Sequence, residues 1–376
     1  MKLSLAFTIT LLTLLLFGFA QPSAAKPLSQ DDDLVARGQY LVNIAGCDGC
    51  HTPFRAEFAN PELTPQQLQT LSMYERSTKD PELYLAGGRV FDLGPAGIIV
   101  ATNITPDPET GIGNWTDEQI ETAMRTGATP DGRQLIPIMP YTAYNQMSDA
   151  DMEAIIAYLR TIPPIENDVL ANRTANTEEL SPIPAPDGPI TAPDENAQTA
   201  YGEYLVRHVM ACSDCHTPID PDTGQPMMDR FLSGGQPFEG PWGIVYSANL
   251  TPDEETGLGA WTETEIKRAF LSGVRIDGRR LVLMPWEYYA SLSATDADAA
   301  ASYLKNGLTA VHQEVPTLAV AEELLQYSAI IPTATEEYNV ENESNTSPNI
   351  VPLIGIVGLV LLIIGIAVYV LRRRAV

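Results

Sequence analysis

The chain is short of positive charge, of histidine and of cysteine. Against 48 Asp and Glu its 376 residues carry 22 Lys and Arg, a formal net charge of −26. Nucleic acid needs a basic footprint, so no nucleic-acid partner is expected. The acidic residues are spread through the chain, the pattern of a solvated surface rather than a dedicated docking patch, and they disfavour acidic partners. Only four histidines and four cysteines are present. A site built on either residue type therefore has few places to be. Length allows about two to three domains.

All four cysteines fall in two copies of one pattern, Cys47-Asp48-Gly49-Cys50-His51 and Cys212-Ser213-Asp214-Cys215-His216, each continuing into Thr-Pro. Cys-x-x-Cys-His is the attachment pattern of c-type haem. Two thiols a short distance apart add to the two vinyl groups of a porphyrin, and the adjacent histidine reaches the iron. Three rival readings of the cysteines fit less well. A four-cysteine zinc site leaves the histidines unexplained. A thioredoxin-like redox motif needs a βαβ context that neither copy has. A disulfide across a two-residue gap is strained and makes a poor staple. The expected cofactors are thus two covalently attached haem c groups.

The duplication extends through the chain. Arg37-Gly38-Gln39-Tyr40-Leu41-Val42 answers Tyr201-Gly202-Glu203-Tyr204-Leu205-Val206, and Gly87-Gly88-Arg89 answers Gly234-Gly235-Gln236. Asn103-Ile104-Thr105-Pro106-Asp107 runs on to Trp115-Thr116, as Asn249-Leu250-Thr251-Pro252-Asp253 runs on to Trp261-Thr262. Met139-Pro140-Tyr141 pairs with Met284-Pro285-Trp286. The first copy carries extra residues around 54–79, a surface excursion. Thr116 with Gln119, and Thr262 with Glu265, read as capping boxes. Gly127 and Gly273 read as the stops of the helices those boxes begin. Ser148 and Ser293 read as caps of the closing helices. Strand signals are sparse, so each half is expected to be mainly α.

The opposite face of each iron decides the chemistry: an open position permits catalysis, a filled one favours electron transfer. Outside the motifs only His208 and His312 remain, both in or after the second half, so no shared bis-histidine design is available. Of ten methionines, only Met139 and Met284 recur at corresponding places. Each precedes proline, which stiffens a loop pressing sulfur against a porphyrin. The plainer reading of any single methionine is core packing. Trp115 and Trp261 read either as indole donors to the porphyrin or as packing residues. Tyr40 with Tyr158, and Tyr204 with Tyr303, read as packing pairs between first and last helices of the same half.

The ends carry the apolar runs. Leu3 to Ala20 after Met1-Lys2 looks like a secretory signal within 1–25. Ile350 to Leu371 is uncharged and, as a helix, spans roughly 33 Å, with Arg372-Arg373-Arg374 following on the side expected to be cytoplasmic. The expected layout is a signal at 1–25, domains at 31–164 and 200–315, a Pro-rich linker at 165–199, an acidic tether at 316–349, a membrane helix at 350–371 and a cytoplasmic tail at 372–376. The haem domains would then face the periplasmic or extracellular side of the cytoplasmic membrane.

Over about 31–164 and 200–312 these motifs resemble the class I cytochrome c fold. More narrowly, they resemble the cytochrome c subunits of bacterial alcohol- and aldehyde-type periplasmic dehydrogenases. The resemblance implies a mainly α fold of two tandem class I cytochrome c domains, here with a single C-terminal transmembrane helix. It implies haem c bound at Cys47, Cys50, Cys212 and Cys215, with His51 and Met139 as one axial pair and His216 and Met284 as the other. It also implies one-electron transfer rather than catalysis, between an extracytoplasmic donor such as a periplasmic dehydrogenase and a downstream carrier or oxidase of a respiratory or photosynthetic chain. Two other readings stay open at this point: a di-haem enzyme such as a peroxidase, and a haem-bearing subunit fixed in a larger oxidoreductase complex.

Overall fold

Glycine inside a helix costs stability unless something needs the room. Gly38 lies in α1 (Gln30–Ile44), where a Cβ would stand 1.8 Å from the carbonyl oxygen of Ala154. Ala154 belongs to α5 (Asp149–Thr161), so the glycine lets the two helices cross almost backbone to backbone. Gly202 in α6 (Gln198–Tyr204) does the same against Ala299 of α10 (Ala294–Ser302), where a Cβ would meet the carbonyl oxygen at 1.9 Å. Two identical crossings are the frame of the molecule.

The computed structural model describes residues 30–56, 79–92, 97–170, 173–174, 180–240, 243–278, 281 and 283–316. All of them belong to one compact unit. Between its crossing helices the first repeat places α2 (Cys47–His51), β1 (Val90–Asp92), β2 (Gly97–Val100), α3 (Asp117–Thr126) and α4 (Tyr141–Tyr144). After the two-residue β3 (Arg173–Thr174), the second repeat places α7 (Ser213–His216), β4 (Pro237–Gly240), β5 (Gly243–Tyr246), α8 (Glu263–Ser272) and α9 (Trp286–Tyr289).

Local signals act as their chemistry dictates. Thr116 and Thr262 each accept the amide of the residue three on while Gln119 and Glu265 reach back to the cap amide, completing both capping boxes. Gly127 (φ 77°) and Gly273 (φ 66°) end α3 and α8 in the left-handed region. Ser148 and Ser293 accept the amides of Asp151 and Asp296 and cap the closing helices. At the far ends, Arg160 donates to Ile112 O (3.1 Å) and Lys305 to Gly259 O, tying each closing helix to its Trp-bearing loop.

The long Asn-x-Thr-Pro-Asp run is a staple. The Asn103 side chain accepts the amide (2.9 Å) and hydroxyl (2.7 Å) of Thr105 and donates to Ile165 O (2.7 Å), beyond the closing helix. Asn249 repeats this with Thr251 and Val311 O (2.8 Å).

The described residues are mainly helical, as expected, with departures in detail. Short strands are present in both repeats: β1, β2 and β3 pair antiparallel in that order, and β4 pairs with β5. The Pro-rich linker is bonded along the first repeat. It supplies β3, Ile183 N donates to Thr126 O (3.2 Å), and Asp149 N donates to Ile190 O (3.0 Å). The membrane-spanning part of the expected fold class is corrected. Among the described residues no helix is long and apolar enough to cross a membrane. The longest of them, α1, has 15 residues, about 22 Å at ~1.5 Å per residue, with charged residues along it, against a hydrocarbon core of about 30 Å. The stretches 350–371 and 372–376, the leader 1–25, most of the tether 316–349 and 57–78 of the excursion lie outside the described residues.

Candidate functional site

Each Cys-x-x-Cys-His segment folds as a single helical turn, α2 and α7, and each turn is held by the same three contacts. The Gly87 amide donates to His51 O (2.7 Å) and the Gly234 amide to His216 O (2.6 Å), both glycines at φ 74°. A Cβ on Gly87 would stand 2.5 Å from Thr102 C, and one on Gly234 2.4 Å from Ala248 C, so only glycine fits. The hydroxyls of Thr52 and Thr217, next after the histidines, accept the amides of Leu85 (3.0 Å) and Leu232 (3.2 Å). Both leucines are fully buried at positive φ, 59° and 61°, a conformation costly for a side chain of that size and tolerated here twice.

The third contact orients the ring. His51 Nδ1 lies 2.7 Å from Thr102 O and His216 Nδ1 lies 2.8 Å from Ala248 O. A carbonyl can only accept, so Nδ1 carries the proton and Nε2 keeps its lone pair, the arrangement of a metal-ligating histidine. Burial lowers the pKa of both imidazoles, which favours the neutral form that ligation requires.

Cys47, Cys50, His51 and Met139 line one cavity together with Cys212, Cys215, His216 and Met284. Its volume is about 2660 Å³, well beyond the roughly 300–1,000 Å³ of a pocket for one drug-sized ligand. Burial, then Asp214, and then Cys50 of the other repeat raise the Cys215 thiol. Burial is likewise the largest cause for Cys47 and Cys212, and all three thiols are pushed up to about 12. Such thiols are poor thiolate donors, and among the described residues no three His, Cys, Asp or Glu side chains converge as a metal cage. The zinc rival has no geometry.

Met139 and Met284 are half-buried on the cavity wall, and each is followed by a tight turn in which Tyr141 N or Trp286 N donates to the methionine carbonyl (2.7 and 2.8 Å). Met147 and Met152 by contrast sit in the core. Cysteine pairs, lone-pair imidazole nitrogens and thioethers thus occur in two equal sets along one largely apolar cavity, a donor set that fits two covalently held haems.

Other candidates were differently placed. Trp115 and Trp261 line the cavity, half-buried, and Trp261 lies under the Arg275 guanidinium at 6.0 Å. His208 Nδ1 meets Ala143 O (3.0 Å) in the other repeat. His312 is half-exposed, 3.5 Å from Asp253. Tyr40 and Tyr204 have hydroxyl partners that pairing within a repeat does not anticipate. Each crosses to the opposite repeat: Tyr40 donates to Asp296 and accepts Ser293 N (3.1 Å), while Tyr204 donates to Asp151 (2.5 Å) and accepts Ser148 N (3.1 Å). The two closing-helix caps are thereby exchanged as a reciprocal clasp. Reading a repeat against itself hides such partners.

Arg89 and Gln236 form a further pair. Arg89 donates to Gly49 O, and Gln236 donates to Asp214 O (3.1 Å) and to Thr217 O. Gly49 and Asp214 hold the same place in their motifs, so unlike side chains brace the same carbonyl.

Residues 35–163 match the profile of the cytochrome c family. The chain is 29% identical over 327 residues to the cytochrome c subunit of a quinone alcohol dehydrogenase from Gluconacetobacter polyoxogenes, covering 81% of this chain and 62% of that one. It is 31% identical over 303 residues to the cytochrome subunit of a fructose dehydrogenase from Gluconobacter japonicus, covering 76% and 55%. A diheme cytochrome c-type protein of Cereibacter sphaeroides is 28% identical over 293 residues, covering 72% and 86%. The chain therefore spans between half and two thirds of the length of the dehydrogenase subunits.

Proposed function

Starting from a cytochrome c domain at residues 35–163, which implies haem c, we propose that the whole chain is a di-haem electron-transfer protein serving a dehydrogenase. One observation carries this reading: two complete copies of the thiol–thiol–imidazole–thioether set line one cavity. Cys47 and Cys50 would hold one haem and Cys212 and Cys215 the other, with His51 and Met139, and His216 and Met284, facing the two irons. The bound groups supply one-electron cycling between ferric and ferrous iron. The chain's own residues do the rest. The carbonyls of Thr102 and Ala248 hold the imidazoles in the ligating tautomer. The turns after Met139 and Met284 would position the sulfurs, and the largely apolar walls would keep water from the bound groups. Two ligands to each iron would leave substrate no site to bind, which favours relay over peroxidase chemistry.

The donor is a dehydrogenase of the kind whose cytochrome subunits this chain resembles, and the acceptor is a downstream carrier or oxidase. Haem attachment to this motif takes place outside the cytoplasm in bacteria, so the protein acts there. The oxidised protein is expected to show a methionine–iron charge-transfer absorption band at the red end of the visible spectrum. Met139→Ala and Met284→Ala should each remove part of it. Rapid cyanide binding by the resting protein, with no such band, would refute closed ligation.

A further inference from the structure

The two sites are copies in ligand set, in the carbonyl that orients each histidine and in the glycine that wraps it, so none of these separates their potentials. The charge beside each turn is not copied. At the carbonyl of the third motif residue the first repeat has the Arg89 guanidinium, buried at 5% exposure, while the second has the neutral Gln236. Arg89 is packed at 4.8 and 5.0 Å from the rings of Phe54 and Phe91, which keep water off it. The motif position itself is Gly49 in the first repeat and Asp214 in the second.

Among the described residues the other charges beside the two turns and on the cavity wall are paired or act in the same sense. Lys79, buried at 4% exposure, is offset by Asp48 at 3.3 Å. At the cavity wall Arg133 is paired with Asp131 (2.6 Å) and Arg275 with Asp277 (3.5 Å). The remaining lining carboxylates among the described residues are Glu109 in the first repeat against Glu255, Glu287 and Glu314 in the second. A buried cation near an iron opposes the added positive charge of the ferric state, and low dielectric makes that field count.

We propose that the first repeat carries the higher-potential haem, that Arg89 in place of glutamine sets this order, and that electrons therefore pass from the second repeat to the first. The inference rests on the di-haem reading. The dehydrogenase would then deliver to the second repeat, and the acceptor would draw from the first.

The test is a spectroelectrochemical titration of the full-length haem-loaded protein at pH 8. Met139→His and Met284→His assign the two midpoints, since imidazole in place of thioether lowers the potential of its own centre. The more positive midpoint should be the one Met139→His displaces. Arg89→Gln, which Gln236 shows can still reach the turn carbonyl, should lower that midpoint and leave the other in place. Gln236→Arg should raise the lower one and narrow the gap, and needs no loss of a buried group. Assignment of the more positive midpoint to the second repeat overturns the inference while leaving the di-haem reading intact. So does a first-repeat midpoint indifferent to Arg89→Gln in a protein whose second-repeat midpoint is equally indifferent to Gln236→Arg. Midpoints unmoved by either methionine variant would refute the ligation reading and this inference with it.

Discussion

The opening helices of the two repeats carry the same Gly-x-Tyr-Leu-Val run, yet they reach their cysteines differently. Tyr40 precedes Cys47 by seven residues, whereas Tyr204 precedes Cys212 by eight. The second helix absorbs the extra residue by widening to i→i+5 bonding over Leu205–Val209, and α1 stays α-helical to Ile44. Despite the insertion both tyrosines meet the opposite cap and both turns face the shared cavity. What the chain holds constant is therefore the meeting of the repeats, and what it lets vary is the path to it. The first repeat spends its variation after the motif instead. The excursion leaves at the Phe54–Lys79 bridge, where the Asp80 amide still donates to Pro53 O (2.8 Å), as Met227 does to Pro218 O (2.8 Å) in the second repeat.

That comparison can be broken most forcefully at the helix crossings. Gly38→Val and Gly202→Val should each prevent folding or cost about 3 kcal/mol or more, because the carbonyls at 1.8 and 1.9 Å are backbone and cannot step aside. Chemical denaturation monitored by circular dichroism checks this. Comparable losses are expected from the two variants, and a tolerated valine at one site would show that the crossings are not equivalent.

The clasp between the repeats comes next in size. Tyr204→Phe and Tyr40→Phe each remove a hydrogen bond to a carboxylate, worth about 1.5–3 kcal/mol. Asp151 keeps the two Arg37 contacts (2.8 and 3.1 Å), so Tyr204→Phe should be the milder of the two. Equal losses in urea unfolding would contradict the asymmetric support. Smaller still, Thr116→Ala and Thr262→Ala should each cost about 1 kcal/mol through their capping boxes, and the losses should add in the double variant.

The smallest expected effect is in acid. Hydrogen bonds from the amide and hydroxyl of Thr110 hold Asp107 below the usual carboxylate range, and those of the Thr256 hydroxyl and amide do the same for Asp253. A depressed carboxylate contributes stability that is complete above its unfolded value, about 3.9, and is lost as pH falls through the folded one. Melting temperature should drop below about pH 4, and less so in a Thr110→Val, Thr256→Val double variant relative to its own neutral-pH value.

Much of this was legible in the residues. The capping boxes, the glycine stops and the serine caps are local, since each spans three or four residues and owes nothing to distant partners. The paired motifs were legible because duplication filters chance. The small sheets were not, for strands of two to four residues such as Arg173–Thr174 are made by pairing rather than by alternation. The exchange of tyrosines was hidden by the duplication itself, which made the partner within a repeat look the same as the partner across it. The shared role of Arg89 and Gln236 was not legible, because the group both brace is a backbone carbonyl and no side chain announces it.

The account depends on each repeat presenting a full ligand set to one cavity. Intact-mass and pyridine haemochrome measurement on matured protein tests that most directly. Two covalently attached haems per chain are predicted, falling to one in Cys47→Ser, Cys50→Ser and to one in Cys212→Ser, Cys215→Ser. A wild-type chain carrying a single haem, or a pair of variants that both keep two, would contradict it.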